Sequence, residues 1–199
     1  MPAHIEKILK FYNVILASAS PRRAELIKKI PWLRATVFPS AAEEEPFCGG
    51  SVADYVQTLA KRKALWVLER VDGTVVGADT VVSIDGEVLG KPRSPQDAEN
   101  MFRKLCGRTH EVITGYCVAN HAKNVVNFEK TYVTFGAFID KIVYNYIDSG
   151  APFDKAGGYG LQDSELFPLI ERVEGDADNV VGLPVAALEK TFKEFIEWL

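Results

Sequence analysis

Apolar residues along the chain fall into short continuous runs and stripes at helical spacing, and their alternation predicts an α/β fold. The run Val14-Ile15-Leu16-Ala17 predicts a short buried strand. A helix is predicted from Pro21, because Ser20 is a good N-cap and proline suits the first helical position, where its missing N–H is not needed. Residues 35–38 form a second candidate strand. After Ser51, the residues Val52, Tyr55, Val56, Leu59 and Ala60 recur at helical spacing, Trp66 and Val67 continue the stripe, and Asp54 completes a capping-box-like pair. Residues 74–84 are almost uninterrupted in apolar character, which predicts a strand buried on both faces. Asp85-Gly86 then predicts a type I′ turn into a partner strand at 87–89. A helix starts at Ser94-Pro95 and stops at Gly107. Residues 109–119 and 125–135 alternate as two strands joined by a polar turn at 121–124. Residues 138–149 predict an amphipathic helix closed by Gly150, residues 166–173 a further strand, and residues 180–184 a turn into a last helix ending near Trp198. Residues 1–12 predict a short amphipathic extension without the apolar core of a signal peptide. With no repeat or linker, the elements imply helices packed on a mixed sheet.

Polar residues that break these patterns are the candidates for chemistry. Asp79 interrupts the most apolar strand, where an isolated carboxylate costs several kcal/mol unless a metal, a cation or a water network meets it. Lys63 falls on the inward stripe of the long helix, where it must either pair or snorkel. The turn before Pro21 points free backbone N–H groups at one spot, beside Ser18, Ser20, Arg22 and Arg23, which is the physics of a phosphate site and equally of an ordinary capped helix. Lys91 emerges at a strand end beside the Asp79 hairpin, although Gly86 to Lys91 is one residue too short for a P-loop and Pro92 replaces its Ser or Thr. The acidic run Glu43-Glu44-Glu45 is either solvated surface or a source of a metal carboxylate. The stretch Asp154-Lys155-Ala156-Gly157-Gly158-Tyr159-Gly160 lets backbone approach a ligand but does not match a dinucleotide fingerprint. His110 and His121 read as surface residues at strand edges.

Composition narrows the classes. The 199 residues are 47% apolar and 25% charged, enough to bury a core, and the net charge of −4 argues against a nucleic-acid-binding surface. No apolar run approaches the ~20 residues needed to cross a bilayer, so no membrane partner is expected. Cys48, Cys106 and Cys117 are odd in number and share no metal spacing, which points to reduced thiols and a cytoplasmic setting. Cations and hydroxyls suited to several phosphates, with one buried carboxylate, suggest metal-assisted attack of water on a polyphosphate.

Five segments in order, Leu16-Ala17-Ser18-Ala19-Ser20-Pro21-Arg22-Arg23, Gly77-Ala78-Asp79-Thr80-Val81-Val82, Gly90-Lys91-Pro92, Asp154 to Gly160 and Val180-Val181-Gly182-Leu183-Pro184, closely resemble the Maf family of nucleoside triphosphate pyrophosphatases. The resemblance covers one catalytic domain at 14–199, preceded by an extension at 1–13. It implies an inosine-triphosphate-pyrophosphatase-like α/β fold, an elongated mixed β-sheet flanked by helices with a central cleft between two lobes. It implies hydrolysis of a nucleoside triphosphate to the monophosphate and pyrophosphate with a divalent metal, Mg²⁺ or alternatively Mn²⁺. Residue by residue, Asp79 matches the family's proton acceptor, and Ser18, Arg22, Lys63 and Lys91 its phosphate-binding set. Glu44 matches the acidic loop residue that joins Asp79 at the metal. Arg22, Thr80 and Gln162 match positions tied to substrate choice, and these residue types imply dTTP and UTP. A homodimer is implied by resemblance alone. A non-catalytic nucleotide-binding regulator of cell division, or the same reaction on purine or modified nucleotides, are the alternatives. The chain departs from the family after Gln162, where Asp163-Ser164-Glu165 replaces a glycine-rich turn.

Overall fold

The structure is a computed structural model and describes residues 13–197; the extension expected at 1–12 lies outside the described residues, as does Trp198. In chain order the elements are β1 (Val14–Leu16), α1 (Pro21–Ile27), β2 (Ala35–Val37), α2 (Val52–Leu68), β3 (Thr74–Ile84), β4 (Glu87–Leu89), α3 (Pro95–Leu105), β5 (Thr109–Ala119), β6 (Asn124–Phe135), α4 (Asp140–Asp148), β7 (Ile170–Glu174), α5 (Ala177–Val181) and α6 (Val185–Glu197). The strands form one mixed sheet in the order β2-β1-β3-β5-β6-β7, with β4 attached to β3. β1 runs parallel to both β2 and β3, pairing Val14 with Ala35 and with Thr74, whereas β3–β4 and β6–β7 are antiparallel. Asp85 and Gly86 both take positive φ, 53° and 78°, as a type I′ turn demands.

The described residues form two compact units, the segments up to residue 79, 114–129 and from 182 onward in one, and 80–113 and 130–181 in the other. In the first, Ile15, Ala17, Val75, Cys117 and Ala119 from the strands meet Ala60, Ala64, Val67 and Leu68 of α2. Two glycines decide how close that helix lies. A Cβ on Gly77 would stand 2.1 Å from the Ala60 carbonyl oxygen, and one on Gly115 would stand 2.3 Å from the Val56 carbonyl carbon. Side chains alternate along a strand, so Asp79 faces the same way as Gly77. Residues three apart share a helix face, so Lys63 lies one turn beyond Ala60 on the side that meets β3. Close approach at Gly77 therefore sets the ammonium over the carboxylate.

The second unit has its own core, in which Val82 and Leu89 pack with Phe102 of α3, Phe135 of β6, Tyr146 of α4, and Tyr159, Leu166 and Leu169. α3 is capped by the Ser94 hydroxyl, which accepts from the Asp97 N–H at 3.1 Å, and buries Ala98, Met101, Phe102 and Leu105. Two expectations are corrected here. His110 is not at the surface: it is 1% exposed, its Nε2 lies 2.7 Å from the Tyr159 hydroxyl, and its ring meets Phe135 edge-on at 5.1 Å. A lone histidine was assigned to the edge because the aromatic partners come from distant sequence. The strand expected at 166–173 is a 3₁₀ turn over Ser164–Leu169 followed by β7. Pro168 lacks the N–H a ladder needs, and the buried residues Leu166 and Leu169 are spaced by three, as on a 3₁₀ turn, rather than by two.

Two measurements check this account. Gly77→Ala should lower unfolding free energy by about 3 kcal/mol, while Gly90→Ala, where a Cβ meets nothing within 4 Å, should stay within about 0.5 kcal/mol. Burial pushes the His110 imidazole down from 6.5 to about 4, so the unfolded chain binds the extra proton between those values. Stability from this group is full above pH 6.5 and is lost as pH falls toward 4. The stability difference between the wild type and His110→Gln, measured by denaturant titration, should shrink by about 3 kcal/mol from pH 7 to pH 4.

Candidate active site

The β1–α1 turn folds as its hydroxyls dictate. Ser20 caps α1 in extended geometry (φ −72°, ψ 117°), accepting from the Arg23 N–H at 3.4 Å. Ser18 is buried, and its hydroxyl accepts from the Ser20 N–H at 3.2 Å and from Arg23 Nη1 at 3.4 Å. Arg23 Nε donates to the Gly182 carbonyl at 2.7 Å, which fixes the guanidinium of the half-buried side chain. Helix α1 spans only seven residues, so hydroxyls and guanidinium groups, more than a helix dipole, set the character of the turn.

Opposite charges gather around Lys63. Its Nζ lies 2.5 Å from Asp79 Oδ1 and 2.6 Å from Glu44 Oε1. The Lys63 and Asp79 side chains are 13% and 11% exposed, while Glu44 is 58% exposed. The buried aspartate thus meets a cation, and the inward lysine pairs rather than snorkels. α2 also pins the acidic loop by its main chain. Tyr55 donates to the Glu45 carbonyl at 2.9 Å, Arg62 donates to the Glu43 carbonyl at 3.3 Å and pairs with Glu45 at 3.2 Å, and the rings of Phe47 and Tyr55 pack at 5.2 Å. Tyr55 and Arg62 are seven apart and share one face of α2, and Lys63 lies beside it, so this one helix holds residues 43–47 of the loop.

The first unit therefore assembles Ser18, Arg22, Arg23, Glu44, Lys63 and Asp79. Burial lowers the Arg23 guanidinium from its ordinary value, Asp79 raises it, Arg22 lowers it and Glu44 raises it, so Arg23 stands in the field of the other three charges. Burial raises the Tyr55 phenol, and Asp79 and Glu44 raise it further. Arg23, named at the turn with Arg22, falls outside the phosphate-binding set that the resemblance implies; the signal available was its place three residues after the N-cap, where its N–H is held by Ser20. Tyr55 and Arg62 were also missed, because main-chain acceptors on a loop leave no trace in sequence.

The second unit holds the other expected residues. Thr80 is half-buried on β3, directly after Asp79. Lys91 is exposed just beyond β4, where the Gly157 N–H donates to the Gly90 carbonyl at 2.9 Å. Gly157 takes φ +67°, and a Cβ there would stand 2.7 Å from Val82 Cγ2, so glycine is required at this position by packing. Gln162 is exposed and its Nε2 donates to Asp163 Oδ1 at 3.1 Å.

Among the described residues no group of three or more His, Cys, Asp or Glu side chains could hold a metal. Glu44 and Asp79 converge on one cation, the Lys63 ammonium, at 2.6 and 2.5 Å, and a pair of carboxylates completed by phosphate oxygens and water is a donor set of the kind a hard divalent cation takes. Among the described residues no helix is long and apolar enough to cross a membrane.

Known proteins share both sequence and fold with this chain. The chain is 45% identical over 179 residues to the dTTP/UTP pyrophosphatase of Thermococcus gammatolerans, covering 89% of this chain and 94% of that protein. It is 42% identical over 186 residues to the dTTP/UTP pyrophosphatase of Bacillus velezensis, covering 92% and 96%. Among solved structures, the Ham1 protein of Staphylococcus aureus matches with a TM-score of 0.54 at 13% identity, over 92% of this chain and 98% of that one. A HAM1 protein from Coxiella burnetii matches with a TM-score of 0.51 at 11% identity, over 92% and 100%. These two share the fold, a mixed α/β sheet of the expected class flanked by helices. The family described as Maf-like protein matches residues 13–195, so the chain belongs to the Maf family.

Proposed function

We propose that this chain hydrolyses nucleoside triphosphates, dTTP and UTP foremost, to the nucleoside monophosphate and pyrophosphate. The observation that carries the reading is Asp79, a carboxylate 8% exposed in an apolar strand, 2.5 Å from Lys63 and in electrostatic contact with Arg23. The relatives at 45% and 42% identity, both dTTP/UTP pyrophosphatases, support it.

In this reading Asp79 orients a water and takes its proton while the water oxygen bonds to the α-phosphorus. The bond from that phosphorus to the α,β-bridging oxygen breaks, and pyrophosphate leaves with the electron pair. Ser18 donates to a phosphate oxygen, Arg22, Arg23, Lys63 and Lys91 offset the phosphate charge, and a triphosphate competing for the Lys63 ammonium frees Asp79 to act as base. Glu44 and Asp79 would hold Mg²⁺, which when bound polarises phosphoryl oxygens and offsets their charge. Arg22, Thr80 and Gln162 choose the base. A cytoplasmic setting accords with three free cysteines, of which Cys106 and Cys117 are pushed by burial up to about 11 and about 12 and so are poor nucleophiles.

Asp79→Asn should still bind dTTP, lose ~10²–10⁴ in kcat and fold normally, since Lys63 keeps Glu44. Wild-type turnover in that variant refutes the role given to Asp79. Lys63→Ala, which leaves the carboxylate unpaired, should cost about 3–5 kcal/mol in stability. A panel of nucleoside triphosphates assayed for pyrophosphate release should show dTTP and UTP ahead of purine substrates, with chelator abolishing turnover and Mg²⁺ restoring it. Tight binding without pyrophosphate release points instead to a regulator.

A further inference from the structure

The base-side residue Gln162 is held by a charged cluster that the reaction does not use. Its Nε2 donates to Asp163 Oδ1 at 3.1 Å. A carboxylate only accepts, so the amide must turn its NH₂ end toward Asp163 and its carbonyl oxygen the other way. Asp163 is itself fixed. The buried Tyr146 hydroxyl donates to Oδ2, and Lys155 Nζ lies 3.4 Å from the same atom. Lys155 is 10% exposed and is anchored in turn by the Ala151 carbonyl at 2.5 Å and by Asp154 at 3.0 Å. Burial and the Asp163 carboxylate hold the Tyr146 phenol protonated well above its ordinary value, so it stays a donor. Gly160 lies under both groups: a Cβ there would stand 2.4 Å from Gln162 Nε2 and 2.8 Å from Asp163 Oδ2.

We infer that Asp163, braced by Tyr146 and Lys155, is a positioning residue that locks the Gln162 amide as a hydrogen-bond acceptor toward the nucleobase. This rests on the reading of Gln162 as a base-selecting residue. An acceptor fixed in that way suits a base whose N3 carries a proton, as uracil and thymine do. It opposes cytosine, whose N3 offers a lone pair. The device is built on the Asp163-Ser164 turn, and it makes selectivity depend on a residue that need not touch substrate.

The test compares kcat/KM for UTP and CTP, with Mg²⁺, in the wild type, Asp163→Asn, Asp163→Gly, Tyr146→Phe and Gln162→Ala, alongside thermal melts. The wild type should favour UTP. Asp163→Asn, whose side chain can donate as well as accept and so lets the amide turn, should lower the UTP:CTP ratio about tenfold, and Asp163→Gly should do the same. Tyr146→Phe should act in the same direction more weakly. Gln162→Ala should lower the ratio at least as far as either Asp163 variant. If Gln162→Ala lowers the ratio and both Asp163 variants leave it unchanged, the positioning role is overturned while the base-selecting reading stands. If Gln162→Ala leaves the ratio unchanged, that reading fails and the inference falls with it. An equal loss for both nucleotides in the Asp163 variants, tracking a lower melting temperature, shows a structural role only and also overturns it.

Discussion

The ion pair between Lys63 and Asp79 is the interaction on which the site depends. A carboxylate in the middle of an apolar strand is tolerable only if an opposite charge is delivered to it, and delivery requires the long helix to lie almost on the backbone of the sheet. Gly77 and Gly115 permit that approach, and the alanines on α2 give it a smooth surface. Packing and chemistry are thus one problem: residues without reactive groups determine the distance at which reactive groups meet.

The acidic loop extends this logic outward. Lys63 holds Glu44 by its carboxylate, while Tyr55 and Arg62 hold the neighbouring carbonyls, so the loop inherits the rigidity of α2. Glu44 stays more than half exposed, whereas Asp79 is enclosed. One carboxylate can therefore be reached by ions from solvent and the other is shielded, an asymmetry suited to two different duties.

Much of this was legible in the sequence, and the unread part has a common cause. Periodicity located β3, α2 and α3 because each buries a regular stripe; Asp79 and Lys63 stood out as polar residues on those stripes. Ser20 and Pro21 announced the start of α1 by local chemistry alone. The burial of His110 and the anchoring of Arg23 and Tyr55 escaped because their partners, Tyr159, Gly182 and Glu45, are defined by tertiary contact. The 3₁₀ turn before β7 escaped because its leucines look like strand residues until Pro168 is given full weight. Family resemblance supplied the roles expected of Thr80 and Gln162, which no pattern in the chain selects, and narrowed those expected of Arg22 and Lys91, which the capped turn and the strand end single out.

The order in which the chain contributes to its compact units carries a last consequence. The unit that contains Ser18, Arg23 and Asp79 takes its final segment from residue 182 onward. The carbonyl that anchors Arg23 belongs to that segment. A nascent chain on the ribosome therefore carries the serine turn, the acidic loop and the buried aspartate long before the guanidinium has its fixed support. Assembly of the serine turn must wait until residue 182 has been synthesised, so translation products truncated before it lack that support.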